Sequence, residues 1–241
     1  TANNVGVGLA TGQWAIDEEA GIVYVGTSSP APNFNAANRP GPNLFSSSIL
    51  ALDINTGDLI WYYQTSSHDL FGHGCNWNTV LGNIGDRKVI FKACDDGRLL
   101  ALDAANGELI WSFLPPTLKY LNVDSSLNPE VDFNKKWVTE PSLDPYWQCP
   151  GISGATGGSI AFAYDKVFYV TTNYCDYMIP ESENDLSSFG AKDMTKLPWH
   201  IQVRRNISGI IHDPRLDRTA EMPINSTVYA IDVNTGSVDW E

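Results

Sequence analysis

Short apolar runs of strand length, separated by clusters of Asp, Asn and Gly, set the rhythm of this chain. Residues 21–27, 77–81, 88–93, 159–164 and 166–172 each read as a strand, and turn residues bound them. One phrase recurs three times. It reads Ala51-Leu-Asp53-Ile-Asn-Thr-Gly57-Asp-Leu-Ile-Trp61, then Ala101-Leu-Asp103-Ala-Ala-Asn-Gly107-Glu-Leu-Ile-Trp111, then Ala230-Ile-Asp232-Val-Asn-Thr-Gly236-Ser-Val-Asp-Trp240. The phrase predicts a hairpin. Its Asp accepts backbone N–H groups inside the turn, and its Gly permits positive φ where the chain reverses. A Trp at one fixed position in each unit predicts the contact that docks a sheet on its neighbour. Burying an indole contributes several kcal/mol, at about 25 cal/mol per Å² over roughly 200 Å². Three hairpins of a single sandwich are the alternative, but a sandwich has no reason to repeat one large residue at one register.

The fifty residues from Ala51 to Ala101 suit a four-stranded propeller blade. The longer interval to Ala230 holds two further clear strands, which predicts one blade with large insertions. The expectation is therefore all-β: a single propeller section over 1–241, about three four-stranded blades at roughly 14–65, 76–113 and 154–240, with insertions at 114–153 and 173–226. Complete propellers have at least about four blades, so remaining blades or another chain are expected to close the ring. Long excursions over a rigid repeat are also where a protein partner binds.

Four cysteines flank the strands. Cys75 precedes one strand and Cys94 follows its antiparallel neighbour, so both fall at one end of a sheet; Cys149 and Cys175 are related in the same way. Disulfides Cys75–Cys94 and Cys149–Cys175 are expected, with four buried free thiols as the alternative. Paired, they imply an exported protein, extracellular, periplasmic or pseudoperiplasmic. The triplets Asn206-Ile207-Ser208 and Asn225-Ser226-Thr227 are glycosylation acceptors in such a compartment. His68 and His73 have no spacing to Cys75 that matches a common zinc pattern.

A net charge of −13 excludes nucleic acid as an expected partner, and no apolar stretch is long enough to span a membrane. Five acidic residues, Asp124, Glu130, Asp132, Glu140 and Asp144, lie on one excursion. They are the candidates for a hydrolase or lyase reading, and otherwise form a solvated surface.

The Trp-ended repeat resembles the docking motif of the pyrroloquinoline quinone (PQQ) dehydrogenases, the quinoprotein alcohol and methanol dehydrogenase family. Ile22-Val-Tyr-Val-Gly26-Thr27-Ser28-Ser29-Pro30, Trp61-Tyr-Tyr-Gln64-Thr65-Ser-Ser-His68-Asp69, Cys149-Pro150-Gly151 and Thr172-Asn173-Tyr174-Cys175 resemble further family segments in the same order. The resemblance implies an eight-bladed ring. It also implies PQQ with Ca²⁺ or a lanthanide, and a carboxylate that takes the alcohol proton as hydride passes to the quinone.

Carried over by position, the metal-ligating Asn falls on Ser29, the catalytic Asp on Gly72, the quinone-contacting Arg on Asp95 and the stacking indole on Thr11. The Asn and Trp that usually follow Cys-Pro-Gly have no counterpart in Gly157-Gly158-Ser159. Ser29 and Asp95 remain as cofactor-binding candidates, Ser29 and Asp69 as metal ligands, and His68, Asp69 and His73 as catalytic candidates; His68 is otherwise a turn residue bound to backbone and His73 an exposed loop residue. The expected function is a non-catalytic binding or assembly propeller outside the cytoplasm. The alternative is a PQQ- and Ca²⁺- or lanthanide-dependent alcohol or sugar dehydrogenase with an atypical site.

Overall fold

In the computed structural model, residues 6–9, 12–31, 36, 39–120, 146–151, 155–182, 199–205, 210–213, 218–221 and 225–241 are described. They run through β1 (Gly6–Leu9), β2 (Ala15–Asp17), β3 (Ile22–Ala31), β4 (Ser48–Asp53), β5 (Leu59–Gln64), β6 (Thr79–Ile84), β7 (Arg87–Ala93), β8 (Leu99–Asp103) and β9 (Leu109–Phe113). Then follow β10 (Tyr146–Gln148), β11 (Thr156–Ala163), β12 (Lys166–Asn173), β13 (Asp176–Ser182), β14 (Trp199–Arg205), β15 (Ile210–Asp213), β16 (Arg218–Glu221), β17 (Asn225–Asp232) and β18 (Val238–Trp240). No helix occurs among the described residues. Three antiparallel sheets carry the repeat: β3-β4-β5 with β1 and β2 added on β3, then β6-β7-β8-β9, then β11-β12-β17-β18.

Each repeat folds as its residue types require. Asp53 Oδ1 accepts the N–H groups of Asn55 and Thr56 at 2.8 and 2.9 Å, and Asp232 Oδ1 those of Asn234 and Thr235 at 3.0 and 2.9 Å. Asp103 does the same for Ala105 at 2.7 Å. Those bonds favour the ionised carboxylate and hold Asp53 below the usual range. Gly57, Gly107 and Gly236 close the turns at φ 76°, 75° and 71°, a region costly for any residue with a Cβ.

The same glycines receive the neighbouring sheet. A Cβ on Gly107 would lie 2.6 Å from the Trp61 ring, and one on Gly236 2.8 Å from the Trp111 ring. Trp61 Nε1 donates to the Ala104 carbonyl at 3.0 Å, and Trp111 Nε1 donates to that of Val233 at 2.7 Å. Trp from one sheet thus lies flat on the Asp-to-Gly turn of the next. The strand period of two divides the middle sheet between both neighbours. Ile90, Leu100 and Leu102 join Tyr24, Ile49 and Trp61 in one core, while Val89, Phe91, Leu99 and Ala101 join Val167, Tyr169, Tyr229 and Ile231 in another. All of β8 is consequently buried.

Both disulfides are formed, Cys75–Cys94 and Cys149–Cys175, and no described cysteine is free. The excursion read from sequence as loop over 173–226 contains strands of its own. β10-β13-β14 form a separate sheet and β15 pairs with β16. Pro180 lies in β13 opposite Ile201 of β14, and the described pairing with β10 covers residues 176–178.

Candidate functional site

At the end of the three sheets opposite the Asp-to-Gly turns, segments from all three converge. The loop after β5 supplies His68, Asp69 and His73, and the turn between β7 and β8 supplies Asp95, Asp96 and Arg98. The chain before β11 supplies Cys149–Gly151 and Ala155. Gly74 passes so close to β3 that a Cβ there would lie 2.7 Å from the Ser29 nitrogen. Hydrogen bonds fix the convergence. Asp95 N donates to Gly74 O at 2.8 Å, Ala155 N to Asp95 O at 2.7 Å, and the Tyr169 hydroxyl to Gly97 O at 2.6 Å. The Cys75–Cys94 disulfide clamps the first two segments together from beneath.

The structure brings Ser29, Asp69, His73 and Asp95 to this end, and it fills their polar atoms from within. Asp69 Oδ1 accepts Phe71 N–H at 2.9 Å and Oδ2 accepts His73 N–H at 2.8 Å. Asp95 Oδ2 accepts Gly74 N–H at 3.0 Å, and Oδ1 accepts the Trp77 indole N–H. His68 adopts φ 58° and its Nδ1 lies 2.6 Å from the Gly41 carbonyl, a turn residue bound to backbone. His73 corrects the sequence expectation of an exposed loop residue. It is 4 % exposed, with Nε2 3.1 Å from the Gly151 carbonyl, because the two glycines beside it let the loop fold inward against the third sheet. Thr11 and the acidic residues Asp124, Glu130, Asp132, Glu140 and Asp144 lie outside the described residues.

Three cations near this end escaped the sequence reading, which attended to the Asp95 position alone. Lys92 is fully buried, donating from Nζ to the Trp77 carbonyl and, at 3.1 Å, to Thr79 Oγ1; burial pulls its ammonium down to about 7, against the charge of Asp95. Arg98, 3 % exposed, pairs with Asp96 at 3.2 Å. Arg39 reaches the Asp69 carbonyl at 2.7 Å, and burial lowers it to about 10. A basic residue inside an apolar strand, such as Lys92 between Phe91 and Ala93, is the signal that would have found the first.

The site is therefore not simply acidic. Burial pushes the Asp95 carboxyl up to about 7, opposed by the His73 charge and by the bonds from Trp77 and Gly74. Burial raises Asp69 as well, against His73 and the N–H groups of Phe71 and His73.

A pH dependence follows from Asp95. The unfolded carboxyl titrates near about 4. Between that value and about 7 the folded protein binds the extra proton, so this group's contribution to stability falls as pH rises through the window. Asp95→Asn cannot ionise. Its stability relative to wild type, read from urea midpoints, is expected to be higher at about pH 8 than at about pH 5, with an upper bound near about 3 kcal/mol.

A hard cation takes about 6–8 oxygen ligands. Among the described residues no group of three His, Cys, Asp or Glu side chains gathers, and all four carboxylate oxygens of Asp69 and Asp95 already accept N–H groups. The described residues do not by themselves supply the ligand set of a Ca²⁺ or lanthanide centre.

Residues 8–111 match the family described as glucose/ethanol/alcohol dehydrogenase, β-propeller domain. Residues 8–111 are PQQ-dehydrogenase-like, and the fold of the described residues is that of a PQQ-dehydrogenase β-propeller section. Over 112 residues the propeller domain is 31 % identical to quinohemoprotein alcohol dehydrogenase ADH-IIG of Pseudomonas putida, covering 44 % of this chain and 16 % of that protein. Over 145 residues it is 31 % identical to subunit 1 of methanol dehydrogenase [cytochrome c] from Paracoccus denitrificans, covering 58 % and 20 %. Its fold superposes on quinohemoprotein alcohol dehydrogenase from Comamonas testosteroni with a TM-score of 0.68 at 21 % identity, over 95 % of this chain and 34 % of that one. A europium-containing methanol dehydrogenase gives 0.68 at 19 % identity, over 98 % and 39 %. The propeller domain thus spans about a third of the solved chains it resembles. No helix among the described residues is long and apolar enough to cross a membrane.

Proposed function

We propose that this propeller domain acts outside the cytoplasm as a binding or assembly module, with blades near 14–65, 76–113 and 154–240, and that it does not oxidise alcohols at the Ser29–Asp69–Asp95 end. The carrying observation is the use of the two carboxylates. Asp69 and Asp95 each accept N–H groups of the segment between β5 and β6 on both oxygens, and both are buried. A general base needs an oxygen within reach of the proton it takes. These serve as struts of the three-sheet junction instead. Two disulfides support an oxidising compartment.

The names of the relatives favour a second reading, a PQQ-dependent dehydrogenase with an atypical site. Were the quinone present it would supply the hydride acceptor, and Arg39, Lys92 and Arg98 are buried cations beside the converging loops. Titration of the native protein carrying this chain with PQQ, plus Ca²⁺ or a lanthanide, separates the two. The expected result is no retained quinone absorbance after desalting and no dye-linked alcohol oxidation. A tightly bound quinone would overturn the binding-module reading.

A further inference from the structure

The acceptor triplet Asn225-Ser226-Thr227 opens β17, and the strand's alternation sorts its residues between two faces. Asn225 and Thr227 share the face of Tyr229 and Ile231, which are buried in the core made with the second sheet. Ser226 and Val228 take the opposite face. Asn225 is exposed all the same, because it stands at the end of the strand, paired with the last residue of β12, Asn173. Its exposure therefore owes nothing to the outer face of the stack. The amide is loosely held. Asn225 Oδ1 accepts Asn173 Nδ2 at 3.3 Å, and among the described residues Asn225 Nδ2 donates to nothing. The pairing of β18 with β17 reaches only Ala230 and Ile231, so it leaves the triplet uncovered. The triplet stands at the end of the sheets where the loops converge. Asn173 Oδ1 accepts Lys119 N–H at 3.0 Å, and Thr172 N–H bonds the Ala155 carbonyl at 2.6 Å.

We propose that Asn225 is an N-glycosylation site, its donor a lipid-linked oligosaccharide. The triplet has the residue types that transfer requires, an Asn amide and a hydroxyl two positions on with no Pro between them. Asn225 Nδ2 forms a C–N bond to the anomeric carbon of the sugar as that carbon's bond to the lipid phosphate oxygen breaks. The phosphate leaves with the bonding electrons, and one Nδ2 proton passes to a base of the transferase. Nothing is oxidised or reduced. The attached sugar stands beside the converging loops and interferes with no sheet-to-sheet contact within the chain. A plain Asn–Asn contact between two strand ends is the alternative, and it assigns no role to Thr227. The second triplet, Asn206-Ile207-Ser208, lies outside the described residues. The proposal rests on the reading of this domain as acting outside the cytoplasm, where such transfer takes place, and not on whether a quinone binds.

Peptide mapping by mass spectrometry tests this on the native protein carrying this chain, purified from the cells that make it and alkylated without reductant. The peptide holding Asn225 is expected to carry a glycan, and all four cysteines to resist alkylation. In the same cells Asn225→Gln and Thr227→Ala are each expected to abolish the modification. Ser226→Ala, which alters the position the transferase does not read, is expected to keep it. Circular dichroism of the three variants is expected to match wild type, since the altered side chains lie outside the core. A bare Asn225 in a protein whose cysteines are paired would overturn the proposal and leave the exported reading standing. Free thiols with a bare Asn225 would overturn both. A glycan found at Asn206 alone, or one at Asn225 that survives Thr227→Ala, would likewise overturn it.

Discussion

Replacing Trp61 with alanine is expected to lower the stability of the fold by about 3–5 kcal/mol. The ring is 8 % exposed, lies on Gly107, and donates to the Ala104 carbonyl at 3.0 Å. Truncation removes that packing and leaves a cavity between the first two sheets. It also orphans half of a carbonyl that Tyr24 shares through its hydroxyl, again at 3.0 Å. For a chain of this size the loss corresponds to a fall in melting temperature on the order of 10 °C. Tyr164→Ala is the matched control. Because that ring is 97 % exposed, its removal is expected to cost no more than about 0.5 kcal/mol. Equal losses from the two substitutions, measured by chemical denaturation at low concentration, would mean that the docking contact does not carry the stability assigned to it.

Loss of the Cys75–Cys94 crosslink is expected to have an effect of similar size. The bridge closes a separation of 19 residues, for which chain entropy gives about 3 kcal/mol. Its position adds a local consequence. Cys75 N–H bonds the Thr27 carbonyl at 2.8 Å and Cys94 N–H that of Arg98 at 3.0 Å, so the bridge ties β3, the loop before β6 and the Asp95 turn together. The Cys75→Ala, Cys94→Ala double variant is expected to unfold at lower urea than wild type, and to lose near-ultraviolet dichroism from Trp77. Both sulfurs are buried, at 0 % and 1 % exposure. Reductant alone is therefore expected to leave the folded protein oxidised, and to act once denaturant opens the first two sheets. Rapid reduction of the native state would contradict the burial.

The repeat was legible because its cause is local. Asp and Gly shape a turn through bonds within five residues, and the Trp follows at a fixed distance along the next strand. The cysteine pairs were legible for a related reason, since antiparallel neighbours put flanking residues at the same end. The converging loops were not. His73 reads as a loop residue among glycines, and its burial comes from the Gly151 carbonyl, a partner 78 residues away that no local pattern announces. Lys92 alternates correctly for a strand, but its depth follows from β3 of the preceding sheet, where a Cβ on Gly26 would lie 2.6 Å from Nζ. Placing Asp95 as the replacement for a missing Arg drew attention from Arg98, three residues later. The strands inside 173–226 were hidden by their Pro, Asn and Asp content, Pro180 of β13 among them.

The turn glycine has a consequence for how such a stack can lengthen in a lineage. Gly107 answers to two sheets at once, through its own φ of 75° and through the indole of the sheet before it. Any duplicated unit therefore arrives with both halves of its joint, a bare glycine to receive and a tryptophan to offer, and fits at either end without a new surface having to evolve. A substitution at Gly107 or Gly236 is accordingly felt twice, by its own turn and by the sheet whose indole rests on it.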